Sequence, residues 1–250
     1  EAIEYFDKVL ANDSNNIISI LNKGNALAQL ERYQEAIEYF DKVLANDSNN
    51  IGALNNKGIV LYDQENYKDA IKYFEIALKI DSNNVPVLCN NGIALSKMKR
   101  YDEAIECYDM ALNIDRNNLY VLGNKGLTLF FQKRYNEAIA CYDKALKIDS
   151  KFLFAIFNKA ETLIELDKIE DAREICNSLK SRNDLEEQNY SELMNLCSKL
   201  NDDECVKKIY YKFPKSEVIK DTYIKILEIN AEPNPEVKQK EQSEFDSIIQ

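Results

Sequence analysis

Protein chemistry usually draws on histidine, cysteine, paired carboxylates or a glycine loop, and this sequence is sparing with each. There is no His among its 250 residues. That removes the commonest general base, the Ser–His and Cys–His pairs, and the usual zinc ligand. The six cysteines are Cys89, Cys107, Cys141, Cys176, Cys197 and Cys205. They form no CxxC and fall inside helical patterns. They read as small buried thiols in a reducing compartment, with disulfide or redox use as the alternative. The glycines are isolated within helical stretches, so no phosphate loop is present. Carboxylates are spread as on any solvated helical surface, with no pair marked out by an apolar setting. "NDSNN" lacks the glycine and the terminal bidentate Glu that a calcium loop needs. The expectation is a chain with no catalytic residues, no metal site and no cofactor.

What does recur is asparagine. Asn22, Asn56, Asn90, Asn124 and Asn158 follow one another at a constant spacing of 34 residues. A side-chain amide carries both a donor and an acceptor. A row of them can grip the backbone of an extended peptide, or it can bond neighbouring helices to one another. One turn further on stands a second row, Asn25, Ile59, Ile93, Leu127 and Glu161, with Tyr120, Phe130, Phe131, Phe154 and Phe157 around its later half. A helix with apolar groups on both faces is either covered on both or offers one to a partner. These Asn, Ile, Leu, Tyr and Phe residues are the candidate peptide-binding set.

The spacing belongs to the whole chain. "EAIEYFDKVLANDSNN" occupies residues 1–16 and returns unchanged at 35–50. "YQEAIEYFDKVL" at Tyr33 becomes "YKDAIKYFEIAL" at Tyr67, "YDEAIECYDMAL" at Tyr101 and "YNEAIACYDKAL" at Tyr135, then fades to "IEDAREICNSL" at Ile169. The other half repeats as "LNKGNAL", "NNKGIVL", "NNGIAL", "NKGLTL" and "NKAETL". A fixed period of this size marks a stacked repeat. Leu54, Gly58 and Leu61 give the first helix of a unit its apolar face; Ala70, Phe74, Ala77 and Leu78 do so for the second. Asp-Ser-Asn-Asn, at 13–16, 47–50 and 81–84, ends the unit with residues that bond their own backbone and cap the next helix. Gly24, Gly58, Gly92 and Gly126 recur in mid-helix, where Gly costs about 1 kcal/mol against Ala. Close helix approach is the gain that would justify it. Identity at exposed Glu, Asp and Lys positions is not required by packing and points to recent duplication.

With these markers in phase, the chain resembles the tetratricopeptide repeat family. The resemblance implies an all-α, right-handed α-solenoid of helix-turn-helix units, with the first helices lining a concave groove. It departs mildly from the family pattern, with Ile20, Leu54, Leu88, Leu122 and Ile156 where an aromatic is frequent, and Ser48, Ser82, Arg116 and Ser150 where Pro is frequent. Relatives that hold chaperone C-termini do so with a clamp of Lys, Asn and Arg. Asn25 and Asn56 match its two Asn positions, but Leu21, Pro86 and Asn90 stand where cations are needed, so that ligand is not expected.

The resulting plan is residues 1–16 as the second helix of an incomplete unit, and 17–186 as five units (17–50, 51–84, 85–118, 119–152, 153–186). Residues 187–230 form a degenerate sixth unit, in which Val206 and Tyr210 take the small and aromatic places, followed by a capping helix. The span 231–250 is a polar tail whose Phe245, Ile248 and Ile249 could dock. Formal net charge is −11. No basic stripe is present to displace nucleic-acid counterions, and an anionic membrane surface would repel the chain. The function expected is a cytoplasmic, non-catalytic scaffold that binds a protein or peptide. Two alternatives stand beside it: a self-assembling module using the N-terminal edge or the tail, and the targeting arm of a larger enzyme. The opening at mid-unit predicts sequence upstream, and an apolar edge at Ile3, Phe6 and Leu10.

Overall fold

A computed structural model describes residues 2–213 and 215–230. The tail with Phe245, Ile248 and Ile249, the breaks at Pro233 and Pro235, and the helix stop at Pro214 lie outside the described residues. Among the described residues all regular structure is helical, and the fold is an all-α repeat solenoid. The chain divides into two compact units, Glu1–Ser150 and Lys151–Gln250.

The first unit contains α1 (Ala2–Asn12), α2 (Ile17–Gln29), α3 (Tyr33–Asn46), α4 (Ile51–Asp63), α5 (Tyr67–Ile80), α6 (Val85–Lys97), α7 (Tyr101–Ile114), α8 (Leu119–Phe131) and α9 (Tyr135–Ile148). The second contains α10 (Leu153–Glu165), α11 (Ile169–Lys180), α12 (Glu187–Lys199), α13 (Asp203–Lys212) and α14 (Glu217–Asn230).

The connections explain why the helices start where they do. Asn16, Asn50, Asn84 and Asn118 each accept a hydrogen bond from the backbone three residues on, at 3.0, 3.1, 3.3 and 3.1 Å. This satisfies a donor that the first turn leaves open. Their amide groups donate in turn to Asp13, Asp47, Asp81 and Asp115. At the start of the second unit, Phe152 holds the capping place of α10 without a side-chain cap hydrogen bond.

The turns inside each repeat end their first helices differently. Glu31, Glu65, Lys99, Lys133, Asp167 and Asn201 adopt left-handed backbone, with φ between 54° and 61°. The next amide reaches back five residues, as from Arg32 to the Leu27 carbonyl at 2.9 Å, while Glu31 N–H bonds the Ala28 carbonyl at 2.9 Å. This is a Schellman closure, normally built on glycine. The sequence has no glycine at any of these six positions.

Packing follows the small residues. In the first unit, Ala36, Phe40, Ala70, Phe74, Ala104 and Tyr108 of the second helices are at most 1% exposed. A Cβ built on Gly24, Gly58, Gly92 or Gly126 would lie 2.5 or 2.6 Å from the ring of Phe40, Phe74, Tyr108 or Tyr142. Each glycine therefore receives the aromatic ring sixteen residues later.

Beside these glycines sits a buried lysine. Lys23 and Lys57 run their stems through the core and place the ammonium over the rings of Tyr39 and Tyr73, 4.5 and 4.6 Å from the centroids. They pair with Asp7 and Asp41 of the helix before, and Lys125 pairs likewise with Asp109. Asn91 takes the lysine's place in the third repeat. It donates to Cys107 Sγ at 3.5 Å, and its buried carbonyl oxygen has no hydrogen-bond partner.

No residue of α1 is fully buried; Ile3, Phe6 and Leu10 are half-buried and Tyr5 is exposed. In the second unit, Ser191 on α12 bonds Thr222 on α14 at 2.7 Å, and Tyr210 on α13 stacks on Tyr223 of α14 at 4.2 Å. The cysteines depart from the expectation of uniformly free thiols. Cys197 and Cys205 form a disulfide, because the turn between α12 and α13 brings their Cα atoms to 6.1 Å. Cys89, Cys107, Cys141 and Cys176 are free.

Candidate functional site

In the first unit the asparagine row splits. Asn56 donates to Asn25 at 2.9 Å, Asn55 donates to Asn56 at 3.3 Å, and Asn90 donates to Asn55 at 2.9 Å. These four amides tie α2, α4 and α6 into one chain of hydrogen bonds. Asn124 instead turns back on the Tyr120 carbonyl of its own helix at 2.8 Å. Asn22 is exposed on α2. Along the second row, Ile59 is exposed at 36%, while Ile93 and Leu127 are half-buried. Tyr120 and Phe131 are 70% and 53% exposed. Phe130 is half-buried between Phe131 and Tyr135, with centroids at 5.7 and 5.6 Å.

In the second unit the candidate residues line a cleft. Phe154, Phe157 and Asn158 of α10 face Glu192 and Leu196 of α12 and Ile229 of α14 across a space of about 850 Å³. That is the size of a small-ligand or short-peptide site. Asn158 donates to the Phe154 carbonyl at 2.7 Å, much as Asn124 does on α8. Glu161 is paired with Lys199 in the same cleft. Among the described residues Glu192 has no such cation, and partial desolvation raises its carboxyl above the ordinary range. The cleft thus joins an apolar wall to one ion pair and one carboxylate held in an unfavourable setting.

Glu192 and the α14 side of this cleft could not be picked out beforehand. Residues 187–230 keep the period only faintly, with Leu193, Met194 and Cys197 on the apolar face of a first helix, and that phase marks neither Glu192 nor α14.

The thiols are poor nucleophiles. Burial pushes Cys89 up to about 11, and also raises Cys107, Cys141 and Cys176. They stay protonated at neutral pH, whereas thiol catalysis runs through the thiolate. Among the described residues no helix is long and apolar enough to cross a membrane.

Three models described as tetratricopeptide repeat match residues 21–85, 84–151 and 129–197, and the chain belongs to that family. No curated protein matches the sequence significantly. Among solved structures, a tetratricopeptide repeat protein from Parabacteroides merdae is similar at a TM-score of 0.71 and 14% identity, over 90% of this chain and 91% of that one. PilF of Pseudomonas aeruginosa gives 0.64 and 20%, over 84% and 97%. YrrB, described as a TPR protein with an unusual peptide-binding site, gives 0.55 and 22%, over 78% and 93%. These likenesses establish the fold, and membership of the tetratricopeptide repeat family suggests a scaffold for protein–protein interaction.

Proposed function

We propose that this protein is a non-catalytic adaptor whose second unit takes a peptide or partner helix, anchored by an apolar side chain next to a cationic one. The observation that carries this is the α10–α12–α14 cleft, where Phe154, Phe157, Leu196 and Ile229 adjoin the desolvated Glu192. A buried apolar anchor supplies most of such an affinity, and a Lys or Arg on the ligand would relieve Glu192. YrrB, with its peptide-binding site, supports the class of ligand. In the first unit, Asn124 with Tyr120 and Phe131 offers a second, weaker contact surface, while Asn56 and Asn90 serve mainly to join helices. The four free thiols suit a reducing cytoplasm, where the Cys197–Cys205 disulfide would stand reduced.

The test is selection of random peptides displayed on phage against the full chain, followed by calorimetry on the enriched peptides. Peptides that combine an aromatic or large aliphatic residue with Lys or Arg should emerge. Phe157→Ala should weaken them by ten-fold or more, since hot-spot anchors are worth about 2 kcal/mol or above. Glu192→Gln should weaken only the cationic ones. No enrichment, or equal binding to both variants, sinks the reading.

Self-association is a second reading, favoured by the half-covered apolar face of α1. Light scattering of the wild type against Tyr5→Glu decides it: a dimer that becomes a monomer supports it, and an unchanged mass removes it.

A further inference from the structure

Three cysteines from three consecutive helices converge in the second unit: Cys176 on α11, Cys197 on α12 and Cys205 on α13. Their sulfurs all lie within 4.8 Å of one another, and Cys176 Sγ is 3.4 Å from Cys197 Sγ. All three are buried, at 1%, 0% and 5% exposure. Among the described residues no carboxylate joins the group.

Two of these positions break the pattern of the array. Cys176 stands where the earlier repeats place Phe40, Phe74, Tyr108 and Tyr142. Cys205 stands where they place Glu35, Asp69, Glu103, Glu137 and Asp171, a position that is otherwise acidic. Packing in the other repeats is met by a ring at the first and by a solvated carboxylate at the second. A small residue at 176 makes room for the Cβ of Ala160, but sulfur at both positions, gathered with a third sulfur, is more than that exchange demands.

We propose that reduction of the Cys197–Cys205 disulfide turns this cluster into a three-thiolate site for one thiophilic d10 ion, with Cu(I) the best fit. Soft thiolates select Cu(I) and Zn(II) among biological cations. A three-coordinate ion with bonds of about 2.3 Å needs its sulfurs about 4 Å apart. Cys176 and Cys197 Sγ stand 3.4 Å apart, and the Cys197 and Cys205 sulfurs separate from bonding distance once their bond is reduced. Zn(II) prefers four ligands, and its fourth would have to be water. An open cleft lined by Cys205, Lys180, Asp202 and Lys208 gives ion and reductant a route in. A dithiol reductant gives two electrons and two protons to the disulfide, becoming a disulfide itself and leaving Cys197 and Cys205 as thiols. The ion then displaces one proton from each of the three thiols. The complex with Cu(I) carries two net negative charges, and Arg173 and Lys180 are the cations whose field reaches Cys176, against the single carboxylate of Asp202. Oxidation to the disulfide removes two of the three ligands, so the site opens and closes with redox state.

The test uses the full chain, reduced with a phosphine and kept anaerobic. Cu(I) is titrated in competition with a chromophoric chelator, and Zn(II) in a parallel arm. One equivalent of Cu(I) should bind, with a thiolate-to-metal charge-transfer band, and the oxidised chain should bind none. Cys176→Ser and Cys205→Ser should each lose at least the roughly 100-fold that even outer-shell partners are worth. Cys89→Ser should bind as the wild type does. Alkylation of the unsubstituted reduced chain, read by mass spectrometry, should be slower at Cys176, Cys197 and Cys205 with the ion than without it, and unchanged at the other cysteines; this readout does not depend on any variant folding. One equivalent of Zn(II) with the same variant and protection pattern would support the site with the other d10 ion. The proposal is overturned by absence of binding in the reduced chain, by binding that survives Cys176→Ser and Cys205→Ser, or by protection that falls on other cysteines.

Discussion

Phe40 occupies the space that a Cβ on Gly24 would need. The distance from that Cβ to Phe40 Cε1 would be 2.5 Å, closer than packed carbons approach. The same pairing joins Gly58 to Phe74, Gly92 to Tyr108 and Gly126 to Tyr142. In the fifth repeat both partners change together. Ala160 has its Cβ, and the residue sixteen further on is the small Cys176.

Gly58→Ala should therefore destabilise the first unit by about 1–3 kcal/mol, the usual cost of overpacking a closed core. In a Phe74→Cys background the same change should cost far less, giving a coupling of about 1–2 kcal/mol. Thermal and urea unfolding of the four chains measures it. Additive effects would show that the ring is not what excludes the methyl group.

The six left-handed turn residues predict the opposite sign. Lys99→Gly should raise stability by about 0.5–1 kcal/mol, because a side chain in this conformation is strained and glycine is not. Lys99→Ala should be near neutral or worse. Asn201→Gly should gain least, since Asn tolerates this region best. Urea midpoints of the three variants give the order.

Asn91 interrupts the lysine row and leaves a buried carbonyl oxygen unpartnered. An Asn91→Lys change restores the residue found at Lys57 and Lys125, with Glu75 standing where Asp41 and Asp109 stand in the neighbouring repeats. A gain of about 1 kcal/mol is expected, the lower end of the cost of an unsatisfied buried group. A lower melting temperature in the variant would show that the third repeat has adapted to Asn.

The buried lysines also set an alkaline limit. Burial lowers the Lys57 pKa, but hydrogen bonds to Asp41 and Tyr73 outweigh it and the net shift is upward; Lys23, bonded to Asp7 and Tyr39, behaves alike. A base whose pKa is raised on folding contributes stability that is fully present below its unfolded value, here 10.5. That contribution is lost as pH rises through the higher folded value. Melting temperature should fall above about pH 10.5, and Lys57→Met should flatten the fall relative to wild type. Tyrosines titrate in the same direction, so the difference between the two chains is the quantity to read.

How much of this was readable in the sequence depended on how local its cause was. The period, the helix pairs, the Asn caps and the recurring glycines are set by neighbours within one repeat. The spelling "DSNN" accordingly located the capping loops of the first unit, and the glycines announced close packing. The left-handed turns left no trace, because Glu31, Glu65 and Lys99 are ordinary residues forced into that backbone by the closure around them. The Asn row was visible as a row, but its division of labour was not. Whether an amide meets another amide, as Asn56 meets Asn25, or its own helix, as Asn124 does, depends on the stagger of neighbouring helices.

What the sequence determined by itself is the repeated helical hairpin, since hydrophobic spacing and capping chemistry act over a few residues. What only the tertiary structure decided is which distant groups meet. Cys176, Cys197 and Cys205 share no motif, and Phe157, Glu192 and Ile229 share no repeat position. They come together because α10 to α14 pack against one another in the second unit, where the strict period has lapsed. Distances between side chains on different helices follow from crossing angle and register, which no local spacing encodes.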